Sequence, residues 1–116
     1  MWFHEAFVYH IYPLGFCGAP EYNDFSSSAE YRMEKVFDAL PSIKALGCNT
    51  IYFGPVFESS KHGYDTVDYF HVDRRLGDNE YFIDFVKRLH DQGIRVVLDG
   101  VFNHVGRDFW AFKDLL

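Results

Sequence analysis

Cysteine is scarce in this chain, where Cys17 and Cys48 are the only two. Without a CxxC pair or a ladder of spaced thiols, the sequence holds neither a disulfide framework nor a cysteine-rich metal site. Both residues are read as reduced thiols of a cytoplasmic protein. Positive charge is also scarce. Eleven Lys and Arg stand against seventeen Asp and Glu, for a net charge of −6, and no basic stripe is present to meet a phosphate backbone, so nucleic acid is excluded as a partner. No apolar run approaches the roughly 18 to 20 residues that cross a bilayer, and no membrane partner is expected. The opening residues, Met1-Trp2-Phe3-His4-Glu5, lack the positive and then apolar character of a secretory leader. Glycines occur, but not in a nucleotide-binding order. Gly15-Phe16-Cys17-Gly18 is not GxGxxG, and there is no GxxxxGK[ST] phosphate loop. The six His residues include no helical i, i+4 pair with a third ligand in view, so no zinc site is expected.

Aromatic residues are plentiful. Thirteen Phe and eight Tyr fall among 116 residues that are 48% hydrophobic. That is enough for one domain with a substantial core and too little for two. The same rings can also stack against flat, polar-rimmed ligands such as sugars.

The chain reads as alternating strands and helices. Ala6 to Tyr12 is a strand rich in aromatic and β-branched residues, stopped by Pro13. A loop with turn chemistry runs from about Leu14 to Ala29. From Glu30 to Leu46 the apolar positions Met33, Val36, Phe37, Leu40, Ile43 and Leu46 recur at helical spacing, and Pro41 is expected to kink or divide that helix. Gly47 ends it as a C′ glycine. A second strand, Thr50 to Phe53, leads into a long loop from Val56 to about Asp78, and a loop of that length is more often functional than idle. Asp78 is a good N-cap for a helix with Phe82, Phe85, Val86 and Leu89 on one face, closed by Gly93.

The third strand begins at Arg95. Its continuous apolar run, Val96-Val97-Leu98, ends abruptly in Asp99, with Asn103 and His104 just beyond. A strand buried on both faces reads this way because helices cover both sides and no alternation is needed. The order strand, helix, strand, helix, strand implies a parallel sheet with right-handed crossovers. Short helix-to-strand turns and long strand-to-helix loops place the working face at the carboxyl ends of the strands. Asp65, Asp68, Asp73 and Asp99 could supply a carboxylate pair for glycosidic chemistry, but spacing alone does not pair them. On the residues alone, Asp99 serves equally well as a turn cap and His104 as a satisfied loop histidine.

Asp99-Gly100-Val101-Phe102-Asn103-His104 resembles the D-x-x-x-N-H block that the α-amylase family of glycoside hydrolases carries at the end of its third barrel strand. Gly47 to Pro55 is similar to that family's second-strand block, and His62-Gly63-Tyr64-Asp65 with Asp68-Tyr69 resembles its following loop. The match keeps the order and spacing of the blocks through nearly the whole chain. Within the family it is most similar to the intracellular cyclomaltodextrinase, neopullulanase and maltogenic amylase types.

The resemblance implies an α/β fold: a partial TIM (β/α)8 barrel with its first three strands, two to three helices and a parallel sheet. Residues 1–116 would be the N-terminal portion of the catalytic domain, truncated after strand 3, since a full barrel needs about 200 to 250 residues. It implies hydrolysis of α-1,4-glucans, maltodextrins or cyclodextrins with retention. For substrate binding, Tyr64 would stack under the sugar beside the scissile bond, with core packing as its alternative role. Asp99 would orient neighbouring side chains, and His104 would hydrogen-bond the sugar's primary hydroxyl. No cofactor is required by this reading. Asn103 corresponds to a calcium ligand that many intracellular relatives do without, and its alternative is a loop hydrogen bond. No catalytic residue falls in this chain: the nucleophile and acid/base are expected beyond Leu116, and the isolated chain is expected to be inactive. The expected partners are an oligosaccharide substrate and, through exposed strand edges, a second copy or the missing part of the barrel. A non-catalytic amylase-like protein and a structural assembly module are the alternatives.

Overall fold

In the computed structural model, which describes residues 7–100, the elements follow in order β1 (Val8–Ile11), α1 (Pro13–Phe16), α2 (Lys35–Ala45), β2 (Thr50–Phe53), β3 (Phe57–Ser59), β4 (Thr66–Val72), α3 (Asn79–Asp91) and β5 (Arg95–Leu98). The strands β1, β2 and β5 form a parallel sheet in that spatial order. Its rows align Ile11 with Phe53 and Leu98, and His10 with Tyr52 and Val97. Neighbouring rows point to opposite faces of a sheet. One face is covered: Ile11, Ile51 and Phe53 are buried together with Val36, Leu40 and Ile43 of α2 and Phe85 and Leu89 of α3. The Phe85 ring lies 5.7 Å from Phe53 and 5.3 Å from Phe37, and so joins the sheet to both helices. On the other face His10 is exposed, and its ring lies 5.0 Å from that of the half-buried Tyr52.

The helices stop where the sequence says they should. After α2 the Gly47 amide donates to Lys44 O and the Cys48 amide to Ile43 O, and after α3 Gly93 and Ile94 repeat the pattern onto His90 and Leu89. This is the Schellman arrangement. It needs a left-handed residue at C′, and Gly47 and Gly93 supply it with φ of 81° and 76°. Asp78 caps α3 as expected, its side chain accepting from the Tyr81 amide at 2.7 Å.

Three expectations need correction. Pro13 does more than stop β1, because it opens the single turn α1 from the first helical position, where a missing N–H costs nothing. The second helix begins at Lys35, after a 3-10 turn over Arg32–Glu34, and not at Glu30. The backbone explains the delay: the amides of Glu30 and Met33 donate to Arg74 O and Leu76 O, which ties that segment to the chain after β4. Pro41 does not divide α2, which runs as one helix through it. Its ring is exposed, and packing of Val36, Leu40 and Ile43 beneath it holds the turn.

The long loop after β2 is also not a loop throughout. It folds back as an antiparallel hairpin of β3 and β4, with irregular register on both sides of Glu58. Three-stranded and parallel, with helices on one side, the main sheet is the arrangement of part of a (β/α)8 barrel, and no closed barrel forms among the described residues. No described helix is long and apolar enough to cross a membrane.

Candidate functional site

The carboxyl ends of β1, β2 and β5 lie side by side, and a single turn of the hairpin, His62-Gly63-Tyr64-Asp65, is fastened to the first two and approaches the third. Tyr12, the residue after β1, donates its hydroxyl to His62 O. Gly63 packs on Pro55, just past β2; a Cβ there would come 2.8 Å from the proline's Cβ, and its φ of 95° strains any other residue. Tyr64 comes near the end of β5, close enough for the Asp99 charge to act on its phenol. Within the turn, Asp65 accepts from the Gly63 amide at 3.1 Å and His62 Nδ1 accepts from the Tyr64 amide at 3.1 Å.

Asp99 sits one step past β5, where its amide extends the ladder to Phe53 O at 3.0 Å. It falls on the same side of the sheet as Tyr52, whose phenol also feels its charge. Both phenols are held above their ordinary pKa, by burial first and then by the Asp99 charge, so they remain donors at neutral pH. Tyr12 is likewise raised by burial, against an opposing pull from Arg75. Tyr64 stays 40% exposed. A ring whose backbone is held by its turn and whose face is left open is an arrangement that can stack on a sugar.

Three of the four candidate carboxylates are engaged by groups close to them in the chain. Asp73 is consumed by a buried ion pair with Arg75, at 2.9 Å from Nε and 2.8 Å from Nη2. Asp68 accepts from the Phe70 amide at 2.8 Å and lies 2.6 Å from His71 Nδ1. Asp65 is a turn residue. Each of these three carboxylates is taken by a local backbone amide or a nearby cation, a competition that linear spacing does not reveal. His104 and Asn103 lie outside the described residues, so the structure brings together Tyr64 and Asp99 of the four predicted site positions. No described trio of His, Cys, Asp or Glu could hold a metal ion.

Sequence reasoning missed Tyr12, Tyr52 and Arg75. Position carried a signal for the two tyrosines: Tyr12 directly follows the first strand, and Tyr52 shares parity with the residues of its strand that face away from the helices. Arg75 carried none. Its guanidinium, 4% exposed, donates from all three nitrogens: to Asp73, to Ser59 Oγ at 3.0 Å, and to the carbonyls of Pro20 at 2.9 Å, Glu21 at 3.2 Å and Lys61 at 2.8 Å. Next to it, Glu58 pairs with Arg74 at 3.3 Å and accepts from the Asn23 side-chain Nδ2.

Residues 19–116 match the family described as "Alpha amylase, catalytic domain". The chain is 36% identical to "Neopullulanase 2" of Thermoactinomyces vulgaris over 130 residues, covering 99% of the chain and 22% of the relative. It is 35% identical to a "Cyclomaltodextrinase" of Thermoanaerobacter pseudethanolicus, with the same shares covered. Among solved structures, the ligand-free "Cyclic alpha-maltosyl-(1→6)-maltose hydrolase" of Arthrobacter globiformis superposes with a TM-score of 0.77 at 34% identity, over 98% of this chain and 29% of that one. The chain thus spans about a fifth of the length of these curated relatives.

Proposed function

The chain belongs to the family of the alpha-amylase catalytic domain, and from that premise we propose that the protein containing it is a retaining glycoside hydrolase of α-1,4-linked maltodextrins or cyclodextrins. The observation that carries this reading is the gathering of three strand ends at one turn, which holds the Tyr64 backbone and leaves its exposed ring near the Asp99 carboxylate. The names of the relatives, a neopullulanase, a cyclomaltodextrinase and a cyclic maltosyl-maltose hydrolase, point to the same class of substrate.

In this reading Tyr64 stacks under the sugar ring next to the bond that breaks. Asp99 holds the Tyr64 and Tyr52 hydroxyls in place and lends the pocket its negative charge. His104 donates to the primary hydroxyl of the same sugar. The nucleophile that forms the glycosyl-enzyme and the acid/base that protonates the leaving oxygen come from later barrel strands, so the 116 residues alone are proposed to be inactive. Asn103 would be the calcium-facing residue, and no step of this scheme depends on an ion.

Incubating the whole protein with maltotriose, pullulan and β-cyclodextrin tests the proposal. The expected result is release of reducing ends with the α-anomer formed first, followed by NMR. Absence of hydrolysis on every α-glucan, or initial β-anomer, would overturn it.

A further inference from the structure

Two side-chain hydrogen bonds shape the turn that carries Tyr64. Asp65 Oδ1 accepts from the Gly63 amide and His62 Nδ1 accepts from the Tyr64 amide, both at 3.1 Å. Around them the ends of the turn are fixed: Tyr12 donates to His62 O, Arg75 to Lys61 O at 2.8 Å, and the Ser60 amide to Asp65 O at 3.4 Å. Among the described residues, the acceptor for the Tyr64 amide is the His62 ring.

A ring nitrogen accepts a hydrogen bond only while it carries no proton. The bond to Tyr64 therefore requires the neutral imidazole, with its hydrogen on Nε2. Once Nδ1 takes a proton from solvent it is a donor, and the Tyr64 N–H faces another N–H. The carboxylate within reach is Asp65, whose Oδ1 lies 3.8 Å from Nδ1 and already serves the Gly63 amide. An ion pair with that oxygen draws on both bonds that shape the turn. The other groups facing His62 do not replace them. Tyr12 engages the His62 carbonyl, the Tyr64 ring stands 6.2 Å away, and Lys61 and Glu21 pair with each other at 3.2 Å. Arg75, behind Lys61, is neutralised by Asp73 at 2.8 Å. With its side chain 57% exposed, His62 is open to protons from solvent.

We propose that His62 is a positioning residue for Tyr64 and makes the site sensitive to acid: its neutral imidazole holds the Tyr64 backbone, and protonation exchanges that hold for an ion pair with Asp65. A ring on a loosened turn must be ordered when the sugar binds, which weakens binding. Histidine is the side chain that ordinarily changes charge between about pH 5 and 8, and the test is read across that range. The proposal rests on the glucan reading above, and the test separates the two.

His62→Ala removes the acceptor, whereas His62→Asn keeps it: the amide oxygen stands as many bonds from the backbone as Nδ1 and does not titrate. The measurement is kcat/KM for maltotriose against pH in the whole protein, with each variant divided by the wild type so that titrations common to all three cancel. At the alkaline end His62→Ala should fall about tenfold, as expected for one lost hydrogen bond, and His62→Asn should recover most of that. Towards the acid end both ratios should rise several-fold, because only the wild type loses its acceptor there. Ratios that stay flat with pH, or an alanine variant as active as the wild type throughout, would overturn the proposal and leave the proposed activity standing. Should the wild type hydrolyse no α-glucan, the same ratios are taken from dissociation constants for maltotriose. There, the same pattern supports the role of His62 while the hydrolase reading fails, and flat ratios or no binding overturn it.

Discussion

Arg75 and Asp99 are each the hub of a polar cluster, yet the two clusters are finished differently. Around Arg75 the chain itself supplies every partner: Arg75 and Asp73 are 4% and 1% exposed, and no buried side-chain N or O among the described residues lacks a partner. Around Asp99 the chain supplies two phenols and then leaves Tyr64 40% exposed. A saturated buried cluster has nothing left to offer a ligand, and its contribution is to fix the backbone around it. An anchored but open cluster has both a defined geometry and free surface, which recognition requires. The first supports the second, since Arg75 holds the hairpin whose turn carries Tyr64.

The comparison can be broken most forcefully at Arg75. Arg75→Ala leaves the Asp73 carboxylate buried without its cation, which is expected to cost about 3 to 5 kcal/mol of stability. Urea unfolding of the whole protein measures it. A loss under about 1 kcal/mol would show that water or a rearranged side chain replaces the guanidinium, and the cluster would then not be sealed.

Asp99→Asn is expected to act on the other side of the contrast. It should lower kcat/KM toward maltodextrins by about 1.5 to 3 kcal/mol, the range for hydrogen bonds to a charged group, with little change in melting temperature. An equal loss in unfolding free energy would make Asp99 a second structural hub and erase the distinction.

A gentler probe is alkaline pH, which reaches the covered core through Cys17. Burial pushes that thiol up to about 11, with the Lys35 charge pulling the other way. The unfolded thiol ionises near its ordinary 9.0 while the folded one stays protonated. The unfolded state therefore binds fewer protons between those values. Stability from this group is complete below about pH 9 and lost as pH rises towards 11, on the order of 1 to 2 kcal/mol. Cys17→Ala should flatten the fall in stability over that window, measured by denaturant midpoint against pH. An unaltered slope would place the alkaline loss on the half-buried phenols instead, of which Tyr81 is raised by partial burial and by Glu34.

The sequence by itself determined the features whose causes are local. The parallel strands appear as apolar runs, the helices as 3.6-residue spacing, and their ends as Asp78, Gly47 and Gly93, because capping and left-handed turns are decided by a few neighbouring residues. Asp99 and Tyr64 were legible as candidates through block order and their place beyond strand ends. The hairpin was not. A three-residue β3 is too short to show a period, and its buried Glu58 and Ser59 read as loop until Arg74 and Arg75 are seen to satisfy them. Nor did the sequence choose between one helix through Pro41 and two, since packing from the opposite face outweighs one missing hydrogen bond. Tertiary structure alone decided how each carboxylate is surrounded: Asp73 and Asp99 are the same residue type, and only the approach of a guanidinium 2.8 Å from one, and of two phenols to the other, separates a structural ion pair from the candidate site.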